Sequence, residues 1–304
     1  MKQSGAGVMP HAGTVPFTNF ILHLFCLLRD TVFDMKIKEW LQLLGFKPKP
    51  QTFDSVTKPL VEESYTHLKW SEWQHPKTKS VRPRFEDLEV LQQWIRPGDF
   101  VIDIGAHVGD TTLPYAHLVG KGGACLALEP NPVVFKILQE NAELNKAHLN
   151  IIPLQAASAE KEEILKFSYN DPGLCNGGHS DCYSALERRS FYEVEVQGIC
   201  LENYLNAHFA NDLESLTFIK TDVEGYDFTL FKLHKPLIEK WRPALQVEVH
   251  KTLSEEEKRA FADAIKELGY TLYFVPGVTL STMRPLSDRD LSHNKTFDLF
   301  ATPH

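Results

Sequence analysis

The sequence predicts an α/β fold, a mostly parallel sheet with helices on both faces. Three observations carry this. From Phe100 onward, apolar runs of strand length alternate with segments of helical period, the rhythm of βαβ units. The run FVIDIGAHVGDTTLPYA, residues 100–116, places Phe100, Val101, Ile102 and Ile104 around one acid, Asp103, and passes into Gly105, Ala106 and Gly109. It reads as a buried strand, a tight small-residue turn and a helix start, which lets a ligand meet bare backbone at the carboxyl edge of a sheet. A second apolar strand, ACLALEP, ends in the acid Glu129. An acid at that place accepts hydrogen bonds from ribose hydroxyls in nucleoside-binding βαβ units.

Residues 1–13 are small and polar and carry no period. VPFTNFILHLFCLL, residues 15–28, opens a helix running to about Gly45, with Phe17, Phe20, Ile21, Leu24, Phe25 and Leu28 on one broad face. It is too short and interrupted for a membrane span. It also lacks the basic segment and small-residue cleavage site of a secretory signal. Its apolar face suits packing on this chain or a homo-oligomer with a second copy. KPKPQTFDSVTKP reads as a linker. Residues 60–84 carry Tyr65, Trp70 and Trp73 without a clear period and read as a lid or a loop packed over the main domain. FEDLEVLQQWI, residues 85–95, is an amphipathic helix stopped by Arg96, Pro97 and Gly98. Residues 1–85 are thus read as a partly helical N-terminal extension and 86–304 as the main domain.

Within that domain the strand at 100–104 is followed by a helix at 111–119, a strand at 124–129 and a helix at 131–146 with Pro132 in its first turn. NIIPLQAA, residues 150–157, is the third strand. EILKFSYN and FYEVEVQGI, strands flanking the loop DPGLCNGGHSD, form an insertion at about 164–200. LENYLNAHF is a short helix, 216–222 the fourth strand, 226–239 a helix and 244–250 the fifth strand. Ser254 caps SEEEKRAFADAIKELG, whose first turn is acidic. TLYFV and TFDLFAT close the chain as an antiparallel pair at the sheet edge.

Composition narrows the function. At 304 residues, 43% hydrophobic and 24% charged, the chain is an ordinary globular protein. Its net charge of −8 and pI of about 5.9 give no basic footprint for nucleic acid. Five scattered cysteines, with no C-x-x-C pair, fit a reducing, cytoplasmic setting. Cys175, His179 and Cys182 form a loose cluster that lacks a fourth metal ligand.

Ligand chemistry is written in the first turn. A dinucleotide site wants three glycines and a helix start open to pyrophosphate. Here the run is G-A-H-V-G-D, so the third glycine is missing and Asp110 stands where a phosphate would approach. That carboxylate repels a pyrophosphate but tolerates a zwitterion with an ammonium group, such as S-adenosylmethionine. A nicotinamide-dependent oxidoreductase is the rival this disfavours. A non-catalytic protein keeping the fold as a scaffold is the other rival. At the ends of the fourth and fifth strands stand Asp222 with Glu224 and Glu248 with His250, where open α/β sheets hold ligands. Glu224 has an alternative structural role, capping the next helix or pairing with Lys220.

VIDIGAHVGDTTL, LALEPNP, FIKTDVEGYDFTLFK and RPALQVEVH together resemble the FkbM family of S-adenosylmethionine-dependent methyltransferases over about residues 86–300. The resemblance implies a class I methyltransferase, Rossmann-like fold: a seven-stranded sheet in the order 3-2-1-4-5-7-6, with strand seven antiparallel. It also implies that Asp103, Gly105, Ala106 and Gly109 line the methionine end of the cofactor, with His107 and Thr111 beside them. His107 departs from the family, which more often has Asn there. Glu129 would bind the ribose, Pro130 and Asn131 would flank the adenine, and Ala157 and Ser158 would reach its edge. Asp222 would stand next to the transferred methyl.

Methyl transfer to a hydroxyl needs alignment and a proton acceptor. Asp222, Glu224 and His250 are the candidate bases. Asp222, Glu248 and His250 together could instead hold a divalent metal that binds a diol. The resemblance implies O-methylation of a sugar or small hydroxylated metabolite. Tyr65, Trp70, Trp73, Tyr169 and Tyr183 suit stacking on a ring or glycan acceptor, and suit plain packing equally.

Overall fold

A computed structural model describes residues 49–60, 65–175, 177–180, 191–277 and 279–304. The helix expected from residue 15, Cys182 and Tyr183 lie outside the described residues. Fourteen strands are described: β1 Ser55–Pro59, β2 Lys69–Trp73, β3 Phe100–Ile104, β4 Ala124–Leu128, β5 Ile151–Leu154, β6 Ala157–Ala159, β7 Glu163–Tyr169, β8 Gly177–His179, β9 Tyr192–Cys200, β10 Leu216–Thr221, β11 Ala244–Val249, β12 Tyr270–Val275, β13 Arg284–Pro285 and β14 Phe297–Pro303. The α-helices are α1 Leu88–Leu91, α2 Thr112–Val119, α3 Pro132–Asn145, α4 Leu201–His208, α5 Asp227–Trp241, α6 Glu255–Glu267 and α7 Asp288–His293.

The main sheet runs β13-β12-β14-β11-β10-β3-β4-β5. Strands β11, β10, β3, β4 and β5 are parallel, and β14 is antiparallel to both β11 and β12. The sheet has eight strands where seven were expected, because the two-residue β13 adds to the free edge of β12. Within the closing antiparallel pair, β14 lies between β11 and β12, the place that the implied order 3-2-1-4-5-7-6 gives strand seven.

Helices on both faces explain the unbroken apolar runs. Every residue of β3, β4 and β11 is buried. Side chains alternate between two cores, with Phe100, Ile102 and Ile104 in one and Val101 in the other. Local chemistry sets the helix starts. Asn131 accepts a hydrogen bond from the Val133 amide with Pro132 following it, and Ser254 and Glu257 form a reciprocal capping box on α6. The predicted helix at 85–95 is only a turn of 3-10 helix and the four-residue α1.

The expected third strand divides at Leu154. Glu129 N and Ala156 N both bond to its carbonyl, at 3.1 and 3.0 Å, and the chain turns out of the sheet. β6 then joins a second sheet, β6-β9-β7-β8, made from the insertion. The compact unit begins at Pro48 rather than near residue 86. The β1–β2 ribbon docks on α3, where Asn141 and Asn145 each bond to the backbone of β2. Asn141 Oδ1 accepts from Ser71 N at 2.6 Å, and Asn145 Oδ1 from Lys69 N at 2.9 Å. Residues 49–60 and 65–84 are therefore part of this domain, not a separate extension. Trp70 and Trp73 are core residues, and Tyr65 stacks on Phe85 at 3.9 Å.

Candidate functional site

A cleft of about 290 Å³ lies at the carboxyl ends of β3, β4 and β10. The turn after β3 reaches it through left-handed backbone at Gly105 (φ 80°) and His107 (φ 49°). Gly105 must be glycine. A Cβ there would lie 1.9 Å from the Asp222 carbonyl oxygen, because Asp222 N bonds to Ile104 O and brings the two strand ends together.

Asp103 does not face the cleft. It is fully buried, and its Oδ2 accepts from the Thr111 and Thr112 hydroxyls at 2.8 and 2.7 Å. Its Oδ1 lies 3.4 Å from Lys220 Nζ. Lys220 also stands 3.5 Å from Asp222 Oδ2 and donates to the Gly105 carbonyl at 3.1 Å. Burial alone would lower the Lys220 pKa, but Asp103 and Asp222 outweigh it and hold the ammonium charged. Thr111 is a partner of Asp103, and Ala106 packs with Ala127 and Leu138. Asp103, Ala106, Gly109 and Thr111 thus shape the turn from behind, while Gly105 and His107 line the cleft.

Glu129 stands at the tip of β4. Its oxygens accept from the backbone amides of His107 and Asn131 at 2.9 and 2.8 Å. Burial raises its pKa to about 7, against the lowering pull of those two amides. Pro130, Asn131, Ala157 and Ser158 line the same wall. Ser158 Oγ is also held 2.8 Å from Nε2 of His234 on α5. Burial lowers the pKa of His107, and its Nε2 accepts no hydrogen bond among the described residues.

Opposite, Asp222 and Glu224 line the cleft. Lys220 pairs with Asp222, not with Glu224. Nor does Glu224 cap α5, since Asp227 takes the amides of Val223 and Gly225 at 3.2 and 3.3 Å. Glu224 instead adopts left-handed backbone (φ 57°), and its Oε2 lies 3.7 Å from His250 Nε2. Burial lowers the His250 pKa, with Lys251 adding to it. His250 and Glu248 lie behind the cleft wall and do not line it. Of the residues expected as a metal set, Glu248 and His250 come together, but with Glu224 and not with Asp222. One side-chain nitrogen or oxygen of each of Glu224, Glu248 and His250 lies within 4.8 Å of the others.

Several cleft residues escaped the sequence reading. Lys77, Thr78 and Arg84 come from the segment before the sheet, and Phe167 and His179 from the insertion. Arg84 Nε stands 3.4 Å from Asp110 Oδ2, and Arg84 N donates to Asp110 O at 3.1 Å. No local pattern marks these residues, since each reaches the site only through long-range packing. Tyr169 is the one expected stacking aromatic, among the described residues, that lines the cleft.

A family model described as the methyltransferase FkbM domain matches residues 103–273, just over half of the chain. The chain belongs to the FkbM methyltransferase family. The match opens at Asp103 and takes in the Gly105 turn, Glu129 and the Asp222–Gly225 loop. The 31-O-demethyl-FK506 methyltransferase FkbM of Streptomyces tacrolimicus is 34% identical over 94 residues, 31% of this chain and 35% of that protein. This FkbM chain therefore aligns with only about a third of the length of that curated relative. The solved FkbM methyltransferase of Methylobacillus flagellatus aligns with 74% of this chain and 50% of its own, at 14% identity and a TM-score of 0.44. Aeropyrum pernix fibrillarin, solved with S-adenosyl-L-methionine, aligns with 70% of this chain and 72% of its own, at 10% identity and a TM-score of 0.38. Among the described residues no helix is long and apolar enough to cross a membrane.

Proposed function

We propose that this FkbM domain transfers a methyl group from S-adenosylmethionine to a hydroxyl of a sugar or small hydroxylated acceptor. The observation that carries the reading is one cleft with Glu129 on one wall and Asp222 on the other. The donor set fits an adenosyl ligand. Glu129 offers a carboxylate to ribose hydroxyls, and Pro130, Asn131, Ala157 and Ser158 form the adenine wall beside it. At the other end, Arg84 and Asp110 present opposite charges side by side, which suits the carboxylate and ammonium of an amino-acid tail.

When bound, S-adenosylmethionine supplies a methyl already activated on a sulfonium. The residues of the chain supply alignment and a proton acceptor. Alignment in a fixed cleft is worth about 7–11 kcal/mol in favourable cases. Asp222, partly exposed to the cleft and held in place by Lys220, accepts the hydroxyl proton. Tyr169 and Phe167 on the insertion sheet give an acceptor ring apolar surface to lie on.

The test is methyl transfer from labelled donor to panels of glycans, hydroxylated metabolites and peptides, with calorimetry of S-adenosylhomocysteine and NADH run beside it. Binding of S-adenosylhomocysteine with transfer to a hydroxylated acceptor is the expected result. Binding of NADH alone overturns the reading, and cofactor binding with transfer only to peptides overturns the acceptor class.

A further inference from the structure

Three side chains at the back of the cleft have no role in the methyl-transfer reading. Glu248 lies near the end of β11, His250 follows that strand, and Glu224 reaches them from the turn after β10. Their ligand atoms lie within 4.8 Å of one another. Three independent features set this cluster apart from an ordinary group of acids.

The first is an orphan. Glu248 is 8% exposed, and its buried Oε2 accepts no hydrogen bond among the described residues. A buried carboxylate oxygen without a partner is costly, so it calls for a proton or a cation. The carboxyl groups of Asp222, Asp227, Glu224 and Asp298 stand around it.

The second is the geometry of Glu224 and His250. Their closest atoms, Oε2 and Nε2, are 3.7 Å apart. That is too long for a hydrogen bond. Two ligands each about 2.0–2.2 Å from one cation stand roughly 3–3.5 Å apart, so a small closure brings this pair to the separation a shared cation needs. The other ring nitrogen is already engaged, with Nδ1 3.0 Å from Thr252 Oγ1. Nδ1 also accepts from Thr252 N at 3.4 Å, so a cation at Nε2 takes the ring in its other tautomer, with an Nδ1 proton donated to the Thr252 hydroxyl in place of that contact.

The third is a backbone built to bring Glu224 there. Glu224 holds φ 57° and Gly225 φ 107°. Left-handed backbone at a glutamate is uncommon and costs energy, and such strain gathers at functional sites. A Cβ on Gly225 would lie 2.9 Å from His250 Nδ1 and 2.7 Å from Thr252 Oγ1, so only glycine lets this turn close on the histidine.

We propose that Glu224, Glu248 and His250 form a divalent-cation site that opens on the cleft through Glu224 and recruits acceptors bearing two neighbouring oxygen donors. This rests on the methyl-transfer reading and deepens it. Two carboxylates and one imidazole favour Mn2+ or Zn2+ over Ca2+. Three protein ligands leave coordination positions for a diol or a hydroxy acid, and Glu224 lines the cleft itself. The cation gives the unpartnered Glu248 Oε2 its partner and gives the site a preference for acceptors with paired oxygens over isolated alcohols.

The test uses the full chain stripped of metal and loaded with S-adenosylhomocysteine. Mn2+ binding is read from the loss of the free-ion electron paramagnetic resonance signal, with Zn2+ and Mg2+ as competitors. One Mn2+ per chain is expected, with affinity weakened about tenfold or more in Glu248→Gln and again in His250→Gln. No binding of Mn2+ or Zn2+ by the wild-type chain at millimolar concentration overturns the proposal, as does unchanged Mn2+ affinity in both variants. S-adenosylhomocysteine affinity is measured beside it in the presence of chelator. Cofactor bound by a chain that takes up no metal sinks the cation site alone, whereas loss of the cofactor itself sinks the methyl-transfer reading.

Discussion

Gly105 and Asp222 touch backbone to backbone. A Cβ on the glycine would overlap the Asp222 carbonyl oxygen at 1.9 Å. This contact joins the ends of β3 and β10 and so fixes the distance between the cofactor turn and the acid proposed as base. Gly105→Ala must move one strand end and also adopt φ 80° with a side chain. We expect it to cost about 3 kcal/mol or more of unfolding free energy, in the class of strained backbone changes. Gly122→Ala, where nothing lies within 4 Å of the new Cβ, should stay within about 0.5 kcal/mol. Urea unfolding of both variants checks this, and equal stabilities would refute the close approach.

Lys220 carries the charge balance of the strand ends. It is 4% exposed and lies between Asp103 and Asp222. Lys220→Met keeps the volume and leaves Asp103 as an uncompensated buried carboxylate. Breaking one side of a buried ion pair costs about 3–5 kcal/mol. The double variant Lys220→Met with Asp103→Asn should recover part of that loss, because the unpaired charge goes with it. Denaturant midpoints of the two chains decide the matter, and no recovery would mean that Lys220 acts by packing alone.

The parallel strands were legible because burial on both faces demands continuous apolar residues. Phe100 to Ile104 and Ala124 to Leu128 satisfy that demand without reference to the rest of the chain. Glu129 and Asp222 were legible for the opposite reason, as acids at the ends of such runs. What stayed hidden depends on contacts distant in sequence. β1, SVTKP, is mostly exposed and shows no alternation, yet it pairs with β2, which is tied to α3 through Asn141 and Asn145. Arg84 and Asp110 meet across 26 residues of sequence. The swap of Glu224 for Asp222 in the acid cluster hangs on one left-handed residue, a backbone choice that the letters D-V-E-G do not disclose.

Arg84 allows a test that separates the tail of the cofactor from its nucleoside. If its guanidinium meets the tail carboxylate, Arg84→Gln should weaken S-adenosylhomocysteine by about tenfold, in line with the loss of a hydrogen bond to a charged group. Methylthioadenosine, which lacks the amino-acid tail, should lose less than about threefold. Calorimetry of the two ligands against both chains provides the comparison. An equal loss for the two ligands would place Arg84 away from the tail.

If Glu129 holds the ribose as proposed, it should make cofactor affinity depend on pH. Burial raises its pKa to about 7, above the ordinary carboxylate range, so the folded state disfavours its charged form. Relative to the unfolded chain, its effect is a stability loss that grows as pH rises from the ordinary carboxylate range to that value. Ribose hydroxyls donate to the ionised carboxylate, so binding runs the other way. Affinity for S-adenosylhomocysteine should rise about tenfold from pH 6 to pH 8 and then level off. Glu129→Gln should bind more weakly and show a flat profile. A wild-type profile that is flat over this range would remove Glu129 from the ribose site.

In the proposed reaction Asp222 is where positioning and proton removal meet, so its substitution should separate them. Asp222→Asn keeps the shape and leaves Lys220 paired to Asp103 at 3.4 Å. The Gly105 contact is made by the Asp222 backbone and does not change. Turnover should therefore fall by about 10²–10⁴-fold at saturating donor and acceptor, the usual worth of a general base, while S-adenosylhomocysteine affinity stays within about threefold. An acceptor whose hydroxyl is already acidic, such as a nitrophenol, should lose far less, since it needs no base. If ordinary alcohols and the acidic phenol slow equally in Asp222→Asn, the carboxylate holds the methyl donor and the proton leaves by another route.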